Sequence, residues 1–149
     1  MDQMDLRILR ILQKDSSLPV SDVAKKVGLS ASPCWKRIKR MQDEGIIKSQ
    51  ISVLDAERLG FGLTVFINLK TGEHSTSWLK EFSATVTAMP EVVELHRIAG
   101  DVDYMLKVIV PDMAAFDAFY KGLIGTAALT EVTSYFTMET IKETTALPI

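Results

Sequence analysis

Cysteine and histidine are nearly absent from this 149-residue chain: Cys34, His74 and His96 are all it has. One thiol cannot close an intrachain disulfide, and it suits a reducing cytosol. So few soft ligands argue against a closed zinc site. Long apolar runs are missing too; none approaches the ~20 residues needed to cross a bilayer, so no membrane partner is expected. The opening Met1-Asp2-Gln3-Met4-Asp5 has neither a basic start nor an apolar stretch, so no signal peptide is expected and the protein is placed in the cytoplasm. There is no phosphate-cradling glycine loop and no Ser/His/Asp or Cys/His pairing. Asp101 and Asp103 share one turn, where their spacing suits backbone capping better than acid–base chemistry. The expectation is therefore a protein that is not an enzyme and carries no metal or cofactor.

What is present is an ordinary folding composition, 47% apolar and 24% charged, enough for one domain or two small ones. The net charge of −2 conceals a division. Residues 1–53 hold ten Lys/Arg against six Asp/Glu, while residues 54–149 hold seven against thirteen. A basic first part beside an acidic second part points to nucleic acid as a partner of the first.

Apolar spacing in residues 1–53 is helical. Leu6, Ile8, Leu9, Ile11 and Leu12 form one stripe, with Asp2 or Asp5 available to cap it and Asp15-Ser16-Ser17 to end it. Val20, Val23, Ala24 and Val27 form a second, opened by Pro19 and Ser21 and closed by Gly28, a residue free to take positive φ. Ser30 is placed to cap a third helix, with Pro33 in its first turn. A helical wheel puts Ala31, Cys34, Trp35, Ile38 and Met41 on one side. Ser32, Pro33, Lys36, Arg37, Lys39 and Arg40 fall on the other side or its flanks. Two short helices about a tight turn, the second apolar on one face and basic on the other, make a helix-turn-helix. The basic face enters the major groove of double-stranded DNA, the helix N-terminus points N–H groups at a phosphate, and an Arg can read the guanine edge. Ser32, Pro33, Lys36, Arg37 and Arg40 are the expected base readers. Trp35 can stack on a base, although the wheel favours the core. Cys34 can act as a thiol sensor, although a small buried hydrophobe fits better. Lys48 to Val53 alternates and reads as a strand or small wing, with Lys48 and Gln50 able to touch the DNA backbone.

After a connector over residues 54–62 the period changes to two. Leu63, Val65, Ile67 and Leu69 alternate in a strand. Ser75 caps a helix with Trp78, Leu79, Phe82, Val86 and Met89 inward. Strands follow at Val92–Ile98 and Tyr104–Val110, separated by the Gly100–Asp103 turn. Asp112 caps a second helix with Met113, Phe116, Tyr120 and Leu123 inward, and Val132–Glu139 is the last strand. The fold class is α+β: a winged helix-turn-helix followed by a ferredoxin-like βαββαβ domain over residues 63–149.

Several segments, in order, resemble the Lrp/AsnC (feast/famine) family of regulators. They are Asp5-Leu6-Arg7-Ile8-Leu9, Val27-Gly28-Leu29-Ser30, Pro33-Cys34-Trp35-Lys36-Arg37-Ile38, Gly45-Ile46-Ile47, Gly100-Asp101-Val102-Asp103-Tyr104 and Val110-Pro111-Asp112-Met113. The resemblance implies transcription regulation, dimers formed through the sheet, further assembly commonly to octamers, and an amino-acid effector held between dimers. Carried onto this chain, the effector region is Gly100, Asp101, Asp103, Tyr104, Met113, Tyr135, Phe136 and Thr137. Ala127-Ala128-Leu129 stands where many members have Pro-Gly. Cys34–Arg37, His74-Ser75 with Trp78, and the tail Thr144–Pro148 resemble a subgroup that includes a cysteine-responsive regulator of cysteine detoxification, which makes cysteine a lead for the effector. The alternative is a nucleoid-organising protein with little effector dependence.

Overall fold

The computed structural model describes residues 1–126 and 128–149, and the chain divides into two compact units, residues 1–54 with 142–149, and residues 55–141. Ala127, part of the departure noted above, lies outside the described residues. No described helix is long and apolar enough to cross a membrane.

In the first unit, α1 (Gln3–Leu12), α2 (Val20–Val27) and α3 (Ala31–Asp43) pack around Ile8, Val23, Ala24, Val27, Cys34, Ile38 and Met41. Both candidate caps of α1 act together. The Asp5 N–H donates to Asp2 Oδ1 and the Asp2 N–H donates to Asp5 Oδ2, each at 2.9 Å, a reciprocal capping box. Gly28 ends α2 at φ 77°, and the Leu29 N–H reaches back to the Ala24 carbonyl at 2.9 Å. That left-handed residue and the six-to-one bond turn the chain sharply into α3.

Three expectations fail here. Ser30 occupies the cap position of α3, but its side chain makes no capping hydrogen bond. Lys48 to Val53 forms no strand: it is exposed, and no second segment among the described residues lies beside it to complete a ladder. Residues 142–149, read as part of the second domain, lie with the first unit. There the Leu147 N–H donates to Gln13 Oε1 at 2.9 Å, Gln13 Nε2 returns a bond to the Leu147 carbonyl at 3.0 Å, and Arg10 Nε donates to the main-chain oxygen of Ile149 at 2.8 Å.

The second unit is a four-stranded antiparallel sheet in the order β2-β3-β1-β4, formed by β1 (Leu63–Thr71), β2 (Val92–Arg97), β3 (Tyr104–Val110) and β4 (Leu129–Phe136). Helices α4 (Thr76–Thr87) and α5 (Met113–Thr126) contribute to its core. This is the expected ferredoxin-like arrangement. From Val65 onward in β1, and throughout β3, every second residue is buried, with Val65, Ile67, Leu69, Leu106, Val108 and Val110 packed with Phe82, Val86, Phe116, Phe119 and Leu123. Ser75 caps α4 through the Trp78 N–H, and Asp112 accepts from the Ala115 N–H at the start of α5.

Two details depart from expectation. β4 runs from Leu129 to Phe136 rather than Val132 to Glu139. Phe136 pairs with Val65 and the Thr137 N–H donates to the Thr64 carbonyl at 3.0 Å, so the ladder ends close to the start of β1 at Leu63. Met113 is 56% exposed and Phe119 is buried in its stead. Each lies about 60° from Phe116 around the helix, on opposite sides, and the core lies on the Phe119 side.

Candidate nucleic-acid interface and effector region

Cys34, Ile38 and Met41 anchor α3 in the core of the first unit, and Ser32, Lys36 and Lys39 are exposed on the opposite side. Ser30 and Pro33 are exposed at its N-terminal end, after the Gly28 turn. Lys36 makes no ion pair with any described residue. Lys39 Nζ sits 2.8 Å from Asp43 one turn on.

The two arginines are differently disposed. Arg37 Nη1 donates to Asp2 Oδ2 at 2.7 Å and to Asp5 Oδ1 at 2.8 Å, and Arg40 Nη2 donates to Asp5 Oδ2 at 2.6 Å. Asp5 is itself fully buried. Arg37 and Arg40, expected among the base readers, are thus drawn toward the N-terminus of α1. The wheel shows which way a residue leaves α3, but not that α1 puts two carboxylates beside that flank. Asp2, Lys36, Arg37 and Arg40 line a shallow, solvent-open cleft at this junction.

The carboxylates are held ionised. The Asp5 N–H, then Arg37, pull Asp2 down to about 2. Burial pushes the Asp5 carboxyl up, but the Asp2 N–H and the two guanidinium groups outweigh it, and the net direction is down. Arg37 is raised in turn by Asp2 and Asp5. Asp2 and Asp5 therefore cap a helix and brace another at once, a role read from their spacing only as a cap.

Cys34 is buried, and burial pushes its thiol up more than Arg37 draws it down. That is the wrong direction for a reactive thiolate, so the small-hydrophobe reading holds. Trp35 reverses expectation: it is 54% exposed. The three inward residues fill the contact with α1 and α2, and Trp35 stands about 100° round from Cys34. Lys48 and Gln50 are exposed in the irregular segment that follows α3.

In the second unit the expected effector residues fall into two groups. Gly100, Asp101 and Asp103 lie in the turn before β3, beside the end of β1, where Leu69 pairs with Tyr104. Met113, Tyr135, Phe136 and Thr137 lie at the other end, where Leu63 pairs with Val110 and Val65 with Phe136. Six residues of strand separate the ends, roughly 20 Å.

Most of these residues have structural partners. Asp103 Oδ2 accepts the Thr71 N–H at 2.8 Å and the Asp103 N–H donates to the Leu69 carbonyl at 2.9 Å, closing the turn. Tyr104 is buried against Phe82 and Trp78, with ring centroids 4.9 and 6.2 Å away. Phe136 meets Phe116 edge-on at 5.0 Å. Asp101 and Tyr135 are exposed. Thr137 Oγ1 is buried without a hydrogen-bond partner among the described residues.

Neighbours that sequence reasoning did not single out are Lys70, Thr71 and Glu131. Lys70 Nζ is 2.9 Å from Glu131, which raises the lysine first, with Asp101 and Asp103 adding to the effect. Thr71 is buried, accepts the Glu73 N–H, and stands 3.2 Å from the Ala128 carbonyl. One more step of the alternation from Leu69 leads to Thr71, which the structure places at the end of β1; its bond across the sheet is a tertiary fact. An open groove elsewhere, lined by Met89, Glu91, Ala115, Ala118, Phe119 and Gly122, includes none of the expected effector residues.

Comparison with known proteins agrees with both halves of this picture. Residues 64–147 match the family model described as the Lrp/AsnC ligand binding domain, and residues 1–48 match that of a winged helix-turn-helix DNA-binding domain. The chain is 45% identical to the DNA-binding transcriptional activator DecR of Escherichia coli K12, covering all of this chain and 99% of the relative. It is 40% identical to a glutamate uptake regulatory protein of Zymomonas mobilis, covering all of this chain and 91% of the relative. Among solved structures, an AsnC family transcriptional regulator from Agrobacterium tumefaciens superposes with a TM-score of 0.96 at 53% identity, covering 99% of this chain and 97% of the other. A transcriptional regulator from Neisseria meningitidis in complex with L-Met superposes with a TM-score of 0.95 at 32% identity, covering 99% and 96%.

Proposed function

Since the chain belongs to the Lrp/AsnC family of transcription regulators, we propose that α3 binds operator DNA and that an amino acid, acting on assemblies of the second unit, governs that binding. The observation that carries the DNA half is the division of α3: Cys34, Ile38 and Met41 buried, Ser32, Lys36 and Lys39 exposed opposite them. Ser30, Ser32 and Pro33 at the helix start meet a phosphate and the first base edges, and Lys36 and Lys39 supply positive charge. Arg37 and Arg40 contribute with whatever donors their carboxylate partners leave free. Lys48 and Gln50 touch the backbone.

The effector half rests on two supports. One relative of the same fold is a complex with L-Met. The other is the separation of the Gly100–Tyr104 turn from Met113, Tyr135, Phe136 and Thr137 by most of a strand's length. A single small ligand cannot span both, so a site that uses both takes them from different subunits. That favours a homo-oligomer, a dimer or an octamer, with the effector between subunits. Asp101 is the exposed acceptor for the ligand's ammonium group, and the N–H groups of the glycine turn take its carboxylate. Cysteine, suggested by the resemblance of Cys34–Arg37 and the tail to the cysteine-responsive subgroup, is the first amino acid to try. The effector acts by favouring one assembly state over another. We read the protein as a cytoplasmic regulator and not as an enzyme.

The test is a titration of DNA from upstream of the gene at increasing salt, with and without each of the twenty amino acids. Affinity should fall linearly with salt on logarithmic axes, and one amino acid or a small set should shift both the affinity and the thermal midpoint. Salt-insensitive binding would remove the DNA reading. No shift with any amino acid would remove the effector reading.

A further inference from the structure

We propose that Trp35 is a base-reading residue of this protein, making an apolar contact with a thymine methyl in the major groove; the proposal rests on the reading of α3 as the DNA interface. Single exposed apolar residues are common and mean little by themselves. Trp35 is distinguished by its surroundings. It is 54% exposed, and it stands in the first half of the helix, the part that helix-turn-helix proteins bring to base edges. Ala31, Ser32 and Lys39, three or four residues away, share its side of the helix and are exposed as well. An indole flanked by a small residue and a cation fits a polyanion that carries methyl groups along its groove better than it fits an apolar protein surface.

The second observation concerns the other candidate readers. A bidentate arginine is the commonest specific contact in the major groove, yet Arg37 and Arg40 are tied to Asp2 and Asp5 at 2.6–2.8 Å. Of the large exposed side chains over Ala31–Arg40, Trp35 and Lys36 are the ones not held by another described residue's charge. Lysine reports phosphate as a point charge. Ser32, Trp35 and Lys36 are then left to discriminate between bases, and of the three only the indole has the apolar area to cover a methyl group.

The experiment compares a duplex from upstream of the gene with a scrambled duplex, using the full chain. The only tryptophans are Trp35 and Trp78, and Trp78 stacks on Phe82 in the other unit. In a Trp78→Phe background Trp35 is therefore the sole indole reporter. Its emission should be quenched more by the specific duplex than by the scrambled one. Trp35→Ala should reduce the specific-over-scrambled affinity ratio about tenfold, the scale of one mismatched base pair, with the salt slope unchanged. Trp35→Phe should retain most of the ratio. Replacing single thymines by deoxyuridine removes only the methyl; at one position it should weaken the parent and leave Trp35→Ala unaffected. An unchanged ratio in Trp35→Ala overturns the proposal. So does Trp35 emission that follows protein concentration and ignores DNA, which would mean a second copy of the chain covers the indole. If neither duplex binds, the α3 interface itself falls; if both bind and only the ratio is unmoved, Trp35 alone is excluded.

Discussion

Replacing Asp5 by Asn keeps the size of a fully buried side chain and removes its charge. In the parent, Asp5 accepts the Asp2 N–H at 2.9 Å and bonds to Arg37 at 2.8 Å and Arg40 at 2.6 Å. The amide can still accept from Asp2, but its NH2 end must then face a guanidinium. Charge-assisted hydrogen bonds contribute about 1.5–3 kcal/mol each, and breaking a buried pair from one side costs about 3–5 kcal/mol. Arg37 and Arg40 are 30% and 47% exposed, so released guanidinium groups recover hydration, and the sum must be discounted. A net loss of about 2 kcal/mol remains. With a urea slope of ~1–3 kcal/mol per molar, the midpoint of the first unit should fall by about 0.7–2 M. The assay is Trp35 emission in a Trp78→Phe background, with Asp2→Asn as the control. Asp2 is largely exposed, so its variant should shift the midpoint far less. Acid provides a further check. Asp5 titrates lower folded than unfolded, so its contribution is complete above the unfolded value near pH 4 and is lost as pH falls through the folded value. The gap between parent and Asp5→Asn should be constant from neutral pH down to about 5 and close below it. A midpoint within 0.3 M of the parent, or a gap that ignores pH, refutes the account of α1 and α3 braced through buried charge.

Lys36→Ala should weaken specific and scrambled DNA about equally and reduce the salt slope by about one, measured by anisotropy at four or more salt concentrations. Asp103→Ala leaves the Thr71 N–H without its acceptor and should cost about 1–3 kcal/mol in urea unfolding, whereas Asp101→Ala should leave stability unchanged and lower the response to the effector. Leu106→Ala, at a position with no exposed surface in the sheet core, should cost about 2–5 kcal/mol. Gln13→Ala removes the paired bonds that hold Leu147, so trypsin should cut after Lys142 faster than in the parent while the urea midpoint barely moves.

Local chemistry made much of the architecture legible. Alternation in Leu63–Leu69 and Tyr104–Val110, the stripe Val20–Val27 closed by Gly28, and the caps at Ser75 and Asp112 each depend on neighbours within a few residues, and each stands where expected. The errors share another cause. Lys48–Val53 alternates like a strand, but a strand needs a partner and no described segment supplies one. β4 stops at Phe136, where its ladder comes within two residues of the start of β1 at Leu63, a limit that no inspection of residues 132–139 reveals. Met113 and Phe119 exchange roles because the helical wheel does not say which of two flanks the sheet will cover.

The division is clearest at α3, the basic helix on which the functional reading depends. Its position, the Cys34, Ile38 and Met41 seam and the cationic character of its other face follow from residues 28–44 alone, because the Gly28 turn, periodicity and charge are properties of near neighbours. Which of its basic residues stay available was decided by contact with α1, 32 and 35 residues away in sequence, where Asp5 takes hold of Arg37 and Arg40. Cys34, Ile38 and Met41 fill the seam against the other two helices, and Trp35, about 100° round from Cys34, is left at the surface. Ion pairing and packing are set by what lies alongside in three dimensions, and only the folded chain brings the two helices together.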